Sequence, residues 1–329
     1  MVNSTRQTYF PAINLLRSLA VLSICLYHFT HSPEVGAEGL SSAVWLNKIG
    51  DLAIYFVHIF FVVSGFVIPL SLKSSGYHLK NYFRFLGRRL VRIDLPYIVL
   101  LAMIMLLEMA FAYKGGYSPN ISLWRILHHL TFTIEFTDME WYNPIFWTLA
   151  IEIQYYILAG IIYPLFLSMK KWPNALFLLL ASSSCLIGNS NSFLHDYAPQ
   201  FCLGILLFNQ WQGKFNRKEA YVLAALISAI LWYHTRMPFA LTCLVCYFFI
   251  DNIRVDRKWI NFLGDSSYSL YLVHGIVGGT FLLFAKRDFD MNDALAILLS
   301  LFLSLIFSFA FWRLIEMPAR RLSRKVRWS

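Results

Sequence analysis

INLLRSLAVLSICLYHF, residues 13–29, reads as a membrane span that carries two ionisable side chains, Arg17 and His28. A central Arg costs about 2.5–3.5 kcal/mol on insertion scales, so an ionisable group at such a depth marks a candidate functional site. The spacing strengthens the signal. Eleven residues of α-helix advance about 16.5 Å and return to within roughly 20° of the starting azimuth. Both side chains therefore fall on one stripe of one helix, at opposite membrane depths.

The composition agrees with a membrane environment. The chain is 58% hydrophobic and 14% charged, with a mean hydropathy of +0.56, whereas soluble domains carry about 25% charged residues. Repeated apolar runs predict an all-α, polytopic helix bundle. Ten spans are expected, near 12–30, 49–71, 92–113, 144–168, 173–188, 196–211, 219–234, 237–251, 266–286 and 292–314. A fourteen-residue segment, 121–134, contains Arg125, His128 and His129 and reads as an interfacial helix. The mixed aromatic and basic stretch 72–91 predicts an amphipathic helix at the inner surface. The longest extramembrane stretches, 31–48, 72–91 and 114–143, show no independent core, so a single membrane domain over 1–329 is expected, with no soluble domain. The outer stretch 114–143 suits either a polar-substrate vestibule or an exposed loop.

Charge orients the bundle. With the N-terminus inside, 21 of the 28 Lys and Arg residues fall on the inner side, and six fall outside. The positive-inside rule thus predicts that both termini are cytoplasmic. That rule accounts for most of the net charge of +10, and no nucleic-acid partner is required. The five cysteines all lie in apolar runs, which argues against a disulfide framework. The Cys243-x-x-Cys246 pair within such a run reads as packing rather than redox chemistry. The first apolar run lacks a small-x-small cleavage site and is not read as a signal peptide.

Several further residues could carry chemistry. Arg17 either snorkels to inner headgroups or contacts an anion within the bundle. His28 is either an interfacial histidine or a general base. Ser64-Gly65 in the second span suits close helix packing or a close ligand approach to the backbone, and His58 suits a packed core or a polar passage. Arg88, Arg89 and Arg92 precede Pro96; their forks fit phosphate oxygens, as they fit anionic lipid headgroups. Glu152 lies about eight residues into the fourth span, where an ionised carboxylate needs a partner. In the ninth, Ser266, Ser267, Tyr268, Tyr271 and His274 form a polar stripe. Glu108 is a weaker candidate near the outer boundary. No metal site is expected at His128-His129, because adjacent helical residues diverge by about 100°.

In order along the chain stand R-x10-H (Arg17 to His28), F-F-x-x-S-G-F (Phe60 to Phe66) and R-R-x-x-R-x-x-x-P (Arg88 to Pro96). W-T-L-A-I-E (Trp147 to Glu152), S-Y-S-L-Y-L-V-H (Ser267 to His274) and E-M-P (Glu316 to Pro318) follow. This ordered set resembles the acyltransferase-3 family of integral membrane acyltransferases. Thr148 and Ala150 depart from its commoner pattern, in which Ser is frequent, and His58 stands where the family often has other residues.

The resemblance implies transfer of an acyl group, commonly acetyl, from cytoplasmic acyl-CoA to a hydroxyl of a sugar, glycan or lipid-linked saccharide. It implies no metal. It marks His28, Arg17 and Glu152 as catalytic positions. Donor binding is expected at Arg17, Ser64, Gly65, Arg88, Arg89 and Arg92, and substrate contact at Trp147, Tyr271 and His274. The expected location is a bacterial cytoplasmic membrane, with lipid as a partner. A competing class is a transporter or flippase for a polar lipid or glycan intermediate, since membrane histidines and carboxylates also build such passages.

Overall fold

The computed structural model describes residues 10–31, 44–188 and 192–325. All regular structure among them is helical. Fourteen α-helices are described: α1 Pro11–Thr30, α2 Val44–Ala53, α3 His58–Ser74, α4 Tyr82–Gly115, α5 Leu123–Thr131, α6 Trp147–Ser168 and α7 Lys171–Ser183. They continue with α8 Ala198–Trp211, α9 Arg217–His234, α10 Met237–Asn252, α11 Lys258–His274, α12 Thr280–Arg287, α13 Asp293–Phe311 and α14 Met317–Lys325. Six helical runs are long and apolar enough to cross a membrane: Pro11–Thr30, Trp45–Ser74, Leu79–Gly115, Pro144–Ser168, Lys258–Arg287 and Asp293–Lys325. Each overlaps an expected span. Helix α10 is a shorter apolar helix, and α7, α8 and α9 occupy the remaining three expected positions.

Helix ends follow local side-chain chemistry. Asn216 accepts the Glu219 N–H at 3.0 Å while the Glu219 carboxylate accepts the Asn216 N–H at 3.0 Å, a reciprocal cap that starts α9. Asn292 accepts the N–H groups of Ala294 and Leu295 to start α13. The expected interfacial helix is present as α5, and it ends at Phe132 with φ of 55°. The stretch 72–91 corrects an expectation. Residues 82–91 form no separate amphipathic helix but are the opening turns of α4, which runs for 34 residues. At 1.5 Å per residue α4 is about 51 Å long, beyond the roughly 30 Å of hydrocarbon, so one helix holds both the basic turns and a span. Residues 32–43 of the expected loop 31–48, and Arg6 and Arg327 of the basic residues expected on the inner side, lie outside the described residues.

Two compact units divide the chain. The first comprises Met1–Ser23, Ala53–Asn81 and Leu158–Ser267. Its densest contact joins α3 to α8 through two glycines. A Cβ on Gly65 would stand 2.2 Å from the Phe201 carbonyl oxygen, and one on Gly204 would stand 2.1 Å from that of Val62. Those distances require glycine at both positions. Gly65 is thereby taken up by helix packing, one of its two expected roles. Gly264 similarly admits Asn14 of α1. Buried amides join helices where carbon cannot: Asn209 donates to Asn174 at 2.8 Å. Cys243 and Cys246 are free and buried.

The second unit comprises Ile24–Leu52, Tyr82–Ile157 and Tyr268–Ser329. Two of its helices are interrupted by wide π turns, Gly275–Gly279 after α11 and Trp312–Glu316 after α13. Such turns recur at functional sites. Gly278 in the first leaves room for the Phe29 ring and for Ser304.

Replacing Gly204 by Ala is expected to separate α3 from α8 and destabilise the protein by about 1–3 kcal/mol, as overpacking does. Thermal unfolding of the detergent-solubilised protein measures it; an unchanged melting temperature contradicts the close contact.

Candidate functional site

Helix α1 carries both Arg17 and His28 in an uninterrupted run. The half-buried Arg17 directs its Nε–H to the Ser267 hydroxyl of α11 at 3.1 Å. Ser267 is itself buried and donates to the Gly264 carbonyl at 2.8 Å. The guanidinium is therefore turned into the protein, toward the S-Y-S-L-Y-L-V-H segment, rather than extended along the helix to headgroups.

His28 is half-buried. Its ring centroid lies 5.3 Å from that of His274, with the planes tilted by 42°, and 5.2 Å from the ring of Tyr27. His274 is 0% exposed. Its Nδ1 faces the carbonyl oxygens of Tyr271 at 2.7 Å and Leu270 at 3.2 Å. Carbonyl oxygens only accept, so Nδ1 carries a proton, and in the neutral ring that tautomer leaves the lone pair on Nε2. That Nε2 has no hydrogen-bond partner among the described residues.

Tyr271 fixes the neighbouring helix. Its hydroxyl donates to the Ile145 carbonyl at 2.7 Å and pairs with the Thr148 hydroxyl at 2.6 Å. Thr148 thus supplies the hydroxyl that serine would supply, so this departure from the commoner pattern leaves the bond intact. Trp147, beside it, is half-buried at the start of α6.

Glu152 finds a partner on its own helix. It forms no hydrogen bond or ion pair with His28 among the described residues. Its carboxylate instead accepts the Tyr156 hydroxyl, and the Arg89 guanidinium lies 5.7 Å from the centroid of the Tyr156 ring. Arg89, Tyr156 and Glu152 therefore form one chain joining the Arg-rich turns of α4 to α6. Arg88 and Arg92 occupy the same turns, half-buried. The α11 segment is held to α4 as well, by a 2.9 Å bond from the Tyr268 hydroxyl to the Ile93 carbonyl.

Two residues outside the expected site set prove central to its frame. Glu316 is 1% exposed. It accepts from the Ser269 N–H at 3.1 Å, from the Ser269 hydroxyl at 2.5 Å and from Arg320 at 2.5 Å. It thereby pins α11 between Ser267 and Tyr271. His129, also fully buried, accepts the Tyr142 N–H at Nε2 (3.2 Å) and pairs through Nδ1 with the Tyr97 hydroxyl (2.8 Å). A buried carboxylate or imidazole among apolar residues is the available sequence signal for each.

Other candidates have structural partners. His58 is buried and takes a 2.7 Å bond at Nδ1 from the Gln200 amide, against the ring of Phe239. Ser64 stands beside Gly65 at the tight α3–α8 contact. Glu108 accepts the Asn120 N–H at 3.3 Å. The stretch 114–143 is tied down by His129, by a 2.7 Å bond from Trp141 to Glu135 and by Arg125 stacked 3.9 Å from the Tyr142 ring centroid.

A family model described as an acyltransferase domain matches residues 10–313, nearly the whole chain. The chain belongs to this acyltransferase-3 family. No curated protein and no solved structure matches it. Every family-like motif quoted above falls within the matched residues except E-M-P, whose Glu316 lies just beyond them. The apolar helices and the family domain together fit a membrane acyltransferase.

Burial, aided by the Arg125 charge, pushes the His129 imidazole down from its ordinary value near 6.5 to about 4. The unfolded imidazole takes a proton below about 6.5 while the folded one resists it. Stability contributed by neutral His129 is therefore present above that pH and is lost as pH falls toward 4. Melting temperatures of the wild type and of His129→Gln, compared between pH 7 and pH 4, are expected to differ in slope over this window; parallel curves contradict the assignment.

Proposed function

We propose that this protein is an integral membrane O-acyltransferase. It takes an acyl group, acetyl in the first instance, from cytoplasmic acyl-CoA and passes it to a hydroxyl of a sugar, glycan or lipid-linked saccharide. The observation that carries this reading is helix α1 of an acyltransferase-3 domain, bearing an inward-turned Arg17 and, three turns on, the His28 imidazole beside His274. In this reading ten helices span the membrane with both termini in the cytoplasm, as the distribution of Lys and Arg supports.

The donor's phosphates meet the guanidinium groups of Arg88, Arg89 and Arg92, whose planar forks match phosphate oxygens. Arg17 holds a polar part of the same donor. The roughly 16.5 Å of helix between Arg17 and His28 is comparable to an extended pantetheine arm, so the thioester reaches His28 without the nucleotide crossing. His28 then removes the proton from the acceptor hydroxyl as general base. The oxygen attacks the thioester carbonyl; the acyl–oxygen bond forms, the carbon–sulfur bond breaks and the proton passes from His28 to the departing CoA thiolate. Trp147, Tyr271 and the α11 segment line the acceptor side. Glu152, through Tyr156 and Arg89, supports the cationic donor end rather than the base.

Membranes containing the protein, supplied with acetyl-CoA, are expected to release CoA and to label a glycan or lipid fraction with acetyl. His28→Ala is expected to reduce the rate by at least about 100-fold, the lower range for losing general-base catalysis. Full activity in that variant rejects His28 as the base. Movement of a saccharide across the membrane without CoA release would instead support a transporter. Arg17→Lys keeps the charge but loses the fork, and is expected to raise the KM for acetyl-CoA; unchanged donor kinetics count against a specific contact.

A further inference from the structure

His274 presents an unusual arrangement for a buried side chain. Its Nδ1–H is consumed by the carbonyls of Leu270 and Tyr271, and the π turn Gly275–Gly279 begins at the very next residue. A wide turn shifts the partners of the carbonyls preceding it, and the imidazole supplies a donor at that point. The ring is consequently fixed in orientation and tautomer. What it offers on its other edge is a lone pair on Nε2, fully buried and matched to no donor among the described residues. A buried polar atom left without a partner is costly, and such a cost at a candidate site calls for an occupant.

The imidazole that stands against it is that of His28. It is half-buried, and its ring stands 5.3 Å from that of His274 at a 42° tilt. Rotation about the broad second side-chain torsion of a histidine turns one His28 nitrogen toward the His274 edge. Glu152, the carboxylate of the expected catalytic set, accepts the Tyr156 hydroxyl.

We infer that His274 is a positioning residue whose Nε2 accepts a hydrogen bond from the His28 imidazolium as that cation forms. The inference rests on His28 acting as the base. In the resting protein the bond is unmade. When His28 takes the proton of the acceptor hydroxyl, the new cation donates from its other nitrogen to Nε2 of His274, then returns the hydroxyl's proton to the CoA thiolate and releases the bond. A contact made only while charge develops raises turnover and leaves substrate binding unchanged. Hydrogen bonds of this kind are commonly long or misaligned before substrate binds. The neutral imidazole of His274, locked by its carbonyls, thus does for His28 what a carboxylate does in other catalytic histidine systems.

The test compares His274→Leu and His274→Gln in the full-length protein, with acetyl-CoA as the probe and native membranes supplying the acceptor. The expected result is a loss of maximal rate of about 100-fold in the Leu variant, with the KM for acetyl-CoA within a factor of two of wild type. The Gln variant, which keeps an acceptor oxygen near the Nε2 position, is expected to recover at least tenfold of that loss. Equal activity of the Leu and Gln variants at equal melting temperature, or a loss confined to KM, overturns the inference. Should the Leu variant fail to fold, the Gln variant is judged against His274→Asn, whose shorter side chain does not reach; equal rates again overturn it. If the wild type itself transfers no acetyl group, the acyltransferase reading falls and the pairing is examined alone. In that case nitrogen resonances of 15N-histidine-labelled protein are followed on lowering pH. A protonated His28 whose signals are indifferent to His274→Gln overturns the pairing.

Discussion

A polar side chain placed among apolar helices must find its partner within the protein, because hydrocarbon offers none and each unmet group costs several kcal/mol. That constraint organises the described helices. Arg17 reaches Ser267, Tyr271 reaches Thr148 and Ile145, His58 reaches Gln200, and Glu316 gathers both donors of Ser269 together with Arg320. All but the local Arg320–Glu316 pair join segments far apart in sequence and fix their rotation, which nonspecific apolar packing does not. Rotation in turn decides which side chains face a substrate.

Close approach of backbones supplies the complementary device. Gly65 and Gly204 let α3 and α8 meet at a distance no other residue permits, and Gly264 does the same for α11 against Asn14. Gly278 admits the ring of Phe29, the residue after His28. The helix end that carries the proposed base is therefore seated by shape as well as by polar bonds. Small residues and polar partners act together: the first bring helices near enough for the short side chains of the second to span the gap.

Much of the fold and part of the site are legible in the amino-acid sequence. Arg17 and His28 stand out by contrast with the apolar residues around them, and the six long apolar runs announce their helices. What is hidden depends on pairings across long separations. The choice between core and passage for His58 is decided by Gln200, 142 positions later, and the importance of Thr148 by Tyr271, 123 positions later. Glu152 could be recognised as needing a partner, but Tyr156, one turn along its own helix, competes with any distant histidine. The start of α4 is misread for a local reason. Its aromatic and basic face looks interfacial, yet no residue from 82 onward stops the helix before the apolar run begins.

The wide turn at Gly275–Gly279 has a consequence for the lineage of this helix. A π segment houses one residue more than an α-helix of the same length, so it behaves as a tolerated single-residue insertion. Everything downstream is phased about 100° away from where an unbroken helix would set it. Lys286, which meets Asp293 at 2.6 Å, owes its azimuth to that offset, while His274 upstream keeps the phase set by Tyr271 and Ser269. Excising one glycine from the turn would spare every side chain named at the site and still rotate the C-terminal end of the helix away from its ion pair.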